Sequence, residues 1–491
     1  MKIQVFNSFC KIFNVTPEVN DLLARAMTYR NDIKAEVSMW WGRYKYHKKQ
    51  IDEGKSEDVK ASQKKMGMAL AQIKKLEENE YVCLLRNNQF PTGLLNIVKA
   101  VLEKTKNPYE LNDMRLRPEK ELILRWVNKP HPPRYYQEEM IAAGDEHGRG
   151  VFVASVGSGK SLVMMYLIKK LAVKTLVIVP SRGLSQQLKE DFEVHFGKKK
   201  VEIIDSKKVR SGKELAPIRI VTVQTLASLQ KTGDLGHLVD DVNAMHIDEI
   251  HHAGAESYTK LLPDLEHIYY RFGYTGTFLR NDAKILELWG VLSNILYRYS
   301  ATQAIEDGYL TPMSVKVHTV QGSYKENYQK EYNLCYGDNA EFLSTIESIC
   351  SSSTPEQKVL ILVSKKEKCG GIIHNYLNLL GIEAEYISGD NTREEISDTI
   401  SRFNSHQIRI LIGSSVIGEG IDVRAAHHLV MAQGGKSEIV MVQAVGRLGR
   451  LDANKPQAWI HDFEFTDTKH QGKHLKIRLD VYKRNFGVQH A

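Results

Sequence analysis

The hydrophobic pattern changes character about a quarter of the way along the chain. Before roughly residue 126 it is mixed. Residues 1–13 alternate as a strand does, and Thr16-Pro17-Glu18 has the form of a helix start, a capping side chain followed by proline at the first helical position. The spacing of Val19, Leu22, Leu23 and Met27 continues that helix. From Ile33 to Glu80 the chain is rich in Lys, Glu, Gln and Ala and is interrupted at Gly54-Lys55-Ser56, which predicts two antiparallel helices. YVCLLR (81–86) predicts a strand, NNQFPTG (87–93) a turn and LLNIVKAVLEK (94–104) an amphipathic helix. After Trp126, short β-branched runs alternate with helical patterns: GVFVAS, TLVIVP, IRIVTV and AMHIDE, then KVLILVS, IRILIGS and HHLVMA. Such runs suit parallel strands buried on both faces, and their alternation with helices predicts doubly wound α/β sheets. The pattern occurs twice, with a polar, helical link expected around 323–356.

The expected fold class is therefore α/β. Two tandem doubly wound parallel-sheet lobes follow a small α+β domain that carries a helical-hairpin insertion. The expected units are 1–125, a basic amino-terminal domain; 126–312, a first lobe; and 313–491, a second.

Composition changes this picture little. Of 491 residues, 42% are hydrophobic and 26% charged, as in an ordinary globular protein. No run approaches the roughly 18 apolar residues of a membrane span, and MKIQVFNSFCKIFNV has no cleavage site of the secretory kind. No membrane association is expected. Five scattered cysteines without a C-x-x-C pair predict neither zinc nor disulfides and suit a reducing cytoplasm. The pairs His251/His252 and His427/His428 are chain neighbours whose side chains diverge, so metal ligation by them is not expected.

Charge does change it. Residues 1–130 hold 24 basic against 16 acidic side chains, whereas the other 361 residues are balanced at 43 of each. The whole net charge of +8 thus lies in the first quarter. That balance fits a polyanionic partner, because Lys and Arg neutralise phosphates, and fits equally a solvated basic surface. Within it, Trp40, Trp41, Arg43, Tyr44, Lys45 and Tyr46 could stack on an unpaired base. The simpler expectation is that both tryptophans form the core of the helical hairpin.

Three segments carry chemistry. ASVGSGKS (154–161) follows a strand and opens a helix, the setting a phosphate-binding loop requires. Gly157 and Gly159 let backbone N–H groups curl round phosphate oxygens, Lys160 reaches the β- and γ-phosphates, and Ser161 holds Mg²⁺. Asp248-Glu249 closes an apolar run; one carboxylate completes the Mg²⁺ shell and the other orients the attacking water. Alone the pair reads as solvated loop charges; beside a phosphate loop it reads as catalytic. Arg447 and Arg450, in QAVGRLGR (443–450), share a helix face or lie along one turn, and suit insertion toward a γ-phosphate. On spacing alone, an exposed basic helix end is the simpler reading.

The order of these segments resembles the superfamily 2 helicases. HPPRYYQ (131–137) resembles their adenine-contacting segment, which implies Arg134 and Gln137 as nucleotide contacts beside Val156, Gly157, Ser158, Gly159, Lys160 and Ser161. VPSRGLSQQ and TVQTL resemble the strand-tracking segments of the first lobe, which implies nucleic-acid contacts at Pro180, Ser181, Arg182, Gln224 and Thr225. ISGD and GSSVIGEGIDV resemble second-lobe segments: Ser388, Gly389, Ser414 and Ser415 toward nucleic acid, Gly420 and Asp422 toward nucleotide. His251 of DEIH and Thr275 and Thr277 of GYTGTFLR would couple the two sites, and Gln443 would join the catalytic set. ATQAIEDGYLTP (301–312) and LLRNNQFPTGLLNIVKAV are similar to stretches of the UvsW type of phage helicase.

The resemblance implies an ATP- and Mg²⁺-dependent helicase or translocase acting on forked or branched DNA. Single-stranded DNA would be tracked across both lobes of a monomer in the cytoplasm, that of a bacterial host if the gene belongs to a phage. An RNA helicase, a motor subunit of a nuclease or restriction complex, and a DNA-binding module with an inactive motor remain as alternatives.

Overall fold

The computed structural model describes residues 1–55, 58–250, 265–276, 285–322, 327–364, 366–414 and 423–488. Among them three larger sheets follow one another along the chain. The first is four-stranded, in the order Gln89–Pro91, Phe9–Phe13, Lys2–Val5, Glu110–Asp113, with the last pair parallel and the others antiparallel. Helices Pro17–Ala26 and Leu95–Lys104 cover it, burying Leu23, Val98 and Leu102 against Ile3, Val5 and Ile12. The predicted start of the first helix is observed: Thr16 Oγ1 accepts from Val19 N and Pro17 opens the helix.

Several expectations here need correction. Residues 1–13 form a two-stranded hairpin rather than one strand. Gln89–Pro91, expected within a turn, is an edge strand that buries Phe90; the reversal is made by Asn87 and Asn88 alone, both at positive φ. The insertion is the predicted pair of helices, Lys34–Asp52 and Val59–Glu78, but its tryptophans are not its core. Among its described residues only Ala69 and Ile73 are buried, Trp41 is 39% exposed, and the Arg43 guanidinium lies 4.5 Å over the Trp40 ring.

The second sheet is seven-stranded and parallel, in the order 295–299, 149–154, 270–275, 244–247, 175–179, 218–222, 201–203. Side chains alternate across it: Phe152 joins one apolar layer with Tyr136, Leu167 and Phe192, and Val151 joins the other with Leu226, Leu238 and Val291. The third sheet is six-stranded and parallel, in the order 313–320, 458–465, 426–432, 358–363, 410–413, 385–387. Both are sandwiched by helices, as the continuous apolar runs predict. Helices Tyr328–Tyr336 and Ala340–Ser352 lie in the stretch expected to link the lobes, yet Tyr332, Tyr336, Phe342 and Ile346 are buried on the third sheet, so the stretch belongs to that lobe. No helix among the described residues is long and apolar enough to cross a membrane.

The lobes are in contact. One apolar layer runs from the second sheet through Leu310 and Met313 into the third. The amino-terminal unit is also seated on the first lobe. Pro91 packs on Gly290, Asn96 Nδ2 donates to Asn294 Oδ1 at 2.9 Å, Arg271 Nη2 donates to Ser8 Oγ at 2.6 Å, and Tyr29 donates to the Glu287 carboxylate. A Cβ on Gly93 would stand 1.8 Å from the Trp289 carbonyl oxygen. Gly93→Ala is therefore expected to force the two units apart and destabilise the chain by about 1–3 kcal/mol, read as a lower thermal unfolding midpoint. An unchanged midpoint would mean that this seam yields at no cost.

Candidate nucleotide and nucleic-acid site

The phosphate loop forms where strand Arg149–Ala154 gives way to helix Lys160–Leu171. Gly157 (φ +84°) and Gly159 (φ +76°) occupy conformations that L side chains rarely adopt. At Gly159 a Cβ would also lie 2.5 Å from Gln137 Nε2. Ser158 Oγ is buried and has no hydrogen-bond partner among the described residues, and Lys160 Nζ rests on the Ala154 and Ser155 carbonyls at 3.2 and 3.5 Å. An unpartnered hydroxyl and an ammonium satisfied only by neutral carbonyls are suited to an incoming phosphate.

Asp248 and Glu249 stand at the end of strand Ala244–Ile247, next to the phosphate-loop side of the sheet. Asp248 is buried. Burial, and then the Glu249 charge, pushes its carboxyl up to about 7, while the Lys160 ammonium acts in the opposite sense. Glu249 has φ +45°, a left-handed backbone costing on the order of 1 kcal/mol for a residue with a side chain. The adjacent strand Tyr270–Thr275 ends in buried Thr275, and a Cβ on Gly276 would fall 3.4 Å from Lys160 Nζ. Behind the carboxylates, His246 Nδ1 and Tyr274 Oη are 2.9 Å apart and fully buried, and burial brings His246 down to about 3. This neutral pair is buried in the two strands whose ends carry Asp248 and Thr275, and no motif marks it.

The second lobe closes the cleft. Helix Glu438–Leu448 points its end at the phosphate loop, and Gly446 lies so near that a Cβ would meet Val156 Cβ at 2.6 Å. Gln443, Arg447 and Arg450 face Lys160, Ser161, Asp248 and Glu249 across a cleft of about 410 Å³, within the range of small-molecule sites. Arg447 is 7% exposed, so the exposed-helix-end reading does not hold.

Of the two residues expected at the adenine, one lines the cleft and one does not. Arg134 lines the cleft, its guanidinium 3.9 Å over the Tyr309 ring. Gln137 does not line it: its amide is buried, Nε2 donating to Ser158 O at 2.7 Å while Oε1 accepts from Arg134 N at 2.8 Å. Tyr309 and Leu310 also line the cleft. They stand in the ATQAIEDGYLTP stretch, where nothing in their spacing distinguishes them from core residues.

The residues expected to track a nucleic-acid strand fall at the carboxyl ends of neighbouring strands in both lobes. Pro180, Ser181 and Arg182 follow strand 175–179; Gln224 and Thr225 follow strand 218–222, with Val179 opposite Thr222. Ser388 and Gly389 follow strand 385–387 and Ser414 follows strand 410–413, with Ile387 opposite Gly413. Pro180 is the exception, because it lines the nucleotide cleft. Ser181 Oγ caps its own helix by accepting from Leu184 N. His251, Thr277, Ser415, Gly420 and Asp422 lie outside the described residues.

Comparisons with known proteins agree with this geometry. The family described as "Type III restriction enzyme, res subunit" matches residues 130–280, and "Helicase conserved C-terminal domain" matches 341–452. The ATP-dependent DNA helicase uvsW of Enterobacteria phage T4 is 25% identical over 354 residues, covering 68% of this chain and 69% of that protein. Putative helicase 22 of a Sulfolobus islandicus filamentous virus is 26% identical over 366 residues, covering 69% of this chain and 63% of that protein. Among solved structures, a fragment of a putative HsdR subunit of a type I restriction enzyme from Vibrio vulnificus superposes with a TM-score of 0.56 at 20% identity, over 74% of this chain and 68% of that one.

Proposed function

Because this chain belongs to the superfamily 2 helicases and hydrolyses ATP to act on nucleic acid, we propose that it is a motor that remodels branched DNA. The observation that carries the reading is the convergence of both lobes on one cleft, Lys160, Ser161, Asp248 and Glu249 from the first and Gln443, Arg447 and Arg450 from the second. The residues suit the following roles. Gly157, Ser158 and Gly159 present backbone N–H groups to the phosphates, and Lys160 neutralises the charge between the outer two. Ser161 and Asp248 would hold Mg²⁺, which supplies charge neutralisation at the phosphate oxygens. Glu249 orients water and takes its proton; Arg447 and Arg450 stabilise charge on the transferred group from the far side.

Since residues of both lobes contact one nucleotide, binding favours their approach and product release their separation. Ser181, Thr225, Ser388 and Ser414, at equivalent strand ends of the two lobes, suit backbone phosphates of one strand. Alternate approach and separation then moves the chain along that strand without reading bases. The domain of residues 1–125, with the net charge of the chain and the half-exposed Trp40–Arg43 and Trp41–Tyr44 contacts of its hairpin, suits recognition of a junction. We infer a monomer acting in the cytoplasm, that of a bacterial host if the gene belongs to a phage, as that of the T4 relative does.

ATP turnover measured with single-stranded, duplex, forked and four-way DNA and with RNA tests this. Forked or four-way DNA is expected to stimulate most, and a Trp41→Ala, Arg43→Ala variant to lose about tenfold of that preference, as removal of one stacked base implies. Stimulation by RNA alone would replace DNA as the substrate. Equal stimulation by linear and branched DNA would remove the junction from the reading.

A further inference from the structure

Another buried side chain with nitrogens unpartnered among the described residues lies away from the ATP cleft. Arg149 opens the phosphate-loop strand at the opposite end from the loop, and it is 5% exposed. Its Nη2 donates to Asn7 O at 2.7 Å and lies 3.4 Å from Tyr269 O. Nε and Nη1 are buried and have no partner among the described residues.

A buried guanidinium is ordinarily paired, because leaving its charge uncompensated is expensive. Here no carboxylate among the described residues is hydrogen-bonded to it, and the Asp113 carboxylate acts on it only at a distance. The groups acting on Arg149 are first its burial, then the charges of Arg271 and Arg115, all of which depress it; a thiol, Cys10, and a phenol, Tyr269, act weakly in its favour. Asp113 is taken up by Arg115, with nitrogen–oxygen distances of 2.9 and 2.6 Å. Holding the Asn7 carbonyl needs one of the three nitrogens and leaves the other two unexplained.

The Arg149 side chain borders a crevice of about 300 Å³ at the seam between the amino-terminal domain and the first lobe. Thr92, Asn96, Lys99 and Arg115 line it from the amino-terminal side, His147 and Arg149 from the lobe. The lining includes the basic side chains of Lys99, Arg115 and Arg149, the hydroxyls of Thr92 and Ser293 and the amides of Asn96 and Asn294, and no carboxylate. We propose that this crevice is an oxyanion site that takes a phosphate group, anchored by Arg149 and completed by Lys99 and Arg115. The phosphate is either a free ion or one residue of a nucleic-acid backbone; the chemistry of recognition is the same. Because both units contribute ligands, an occupied site would fasten the amino-terminal domain to the motor. The inference does not depend on the ATP cleft or on the substrate proposed above.

The test uses the whole chain saturated with Mg·ADP, so that the phosphate loop is filled. Inorganic phosphate added at constant ionic strength is expected to raise the unfolding midpoint by roughly 2–4 °C, and Arg149→Met and Lys99→Glu to abolish the rise. If Arg149→Met does not fold, Lys99→Glu decides, with its ATP turnover in the absence of nucleic acid reporting an intact motor. DNA binding against salt concentration separates the sources. A salt slope reduced by about 1 in Lys99→Glu assigns a backbone phosphate, and a wild-type slope with a lost phosphate response assigns the free ion. The same phosphate response in wild type and both variants, with DNA binding unchanged, overturns the site.

Discussion

Lys160→Ala is expected to lower ATP turnover by about two to three orders of magnitude while leaving nucleic-acid affinity near the wild-type value. The amine is held over the phosphate loop by the Ala154 and Ser155 carbonyls, and its charge is the one that opposes the Asp248–Glu249 pair. Its loss removes a donor aimed at the transferring phosphate and leaves two adjacent carboxylates, one of them buried, with less to offset them. Both effects act on the chemical step. The residues proposed for strand tracking lie at the ends of other strands and do not touch Lys160, so DNA binding without nucleotide should persist. Steady-state ATP hydrolysis and DNA binding by anisotropy decide the matter. Turnover within tenfold of wild type would remove the phosphate loop from the mechanism; a parallel loss of DNA binding would point to misfolding instead.

The parts of this site that the sequence displays are the ones whose chemistry is local. Glycines at positive φ followed by Lys160 and Ser161 encode a loop within eight residues, and Asp248-Glu249 announces itself by closing an apolar strand. What is hidden depends on partners far away in the chain. Strand Ala458–Phe465 has no apolar run because His461 and Asp462 are buried in it. They are satisfied by His428 and His318 and by Arg478 and Tyr482, respectively, and the Arg478–Asp462 pair has neither side chain exposed. The two tryptophans of the hairpin read as core because large aromatics usually are, yet two helices packing on Ala69 and Ile73 enclose too little volume to cover them. Gln137 shows how a motif can fix a position without fixing its contacts. The residue lies beside the phosphate loop, but its amide bridges Ser158 O and Arg134 N. The crevice at Arg149 has no motif at all, since Lys99, Arg115 and Arg149 meet only once two domains are seated together.

Arg450→Ala is expected to bind ATP and to hydrolyse it about a thousandfold more slowly, a loss of roughly 4 kcal/mol from the barrier. Arg450 stands just beyond helix Glu438–Leu448, and its Cγ would come within 3.6 Å of a Cβ placed on Gly157. Its backbone carbonyl lies 3.4 Å from Thr311 Oγ1, and Thr311 N donates to Gly449 O at 2.8 Å, so the segment is fixed where the chain passes between the lobes. The guanidinium therefore reaches the cleft from the second lobe without helping to form the loop that holds the phosphates. Ground-state binding rests mainly on the first lobe, whereas charge on the transferred group is met from both sides only in the closed form. That division predicts a selective loss: kcat falls and the affinity for a fluorescent nucleotide changes by less than tenfold. Wild-type turnover in Arg450→Ala would reduce Arg450 to a lobe-contact residue. A fall in nucleotide affinity as large as the fall in kcat would show that it serves binding rather than the transition state.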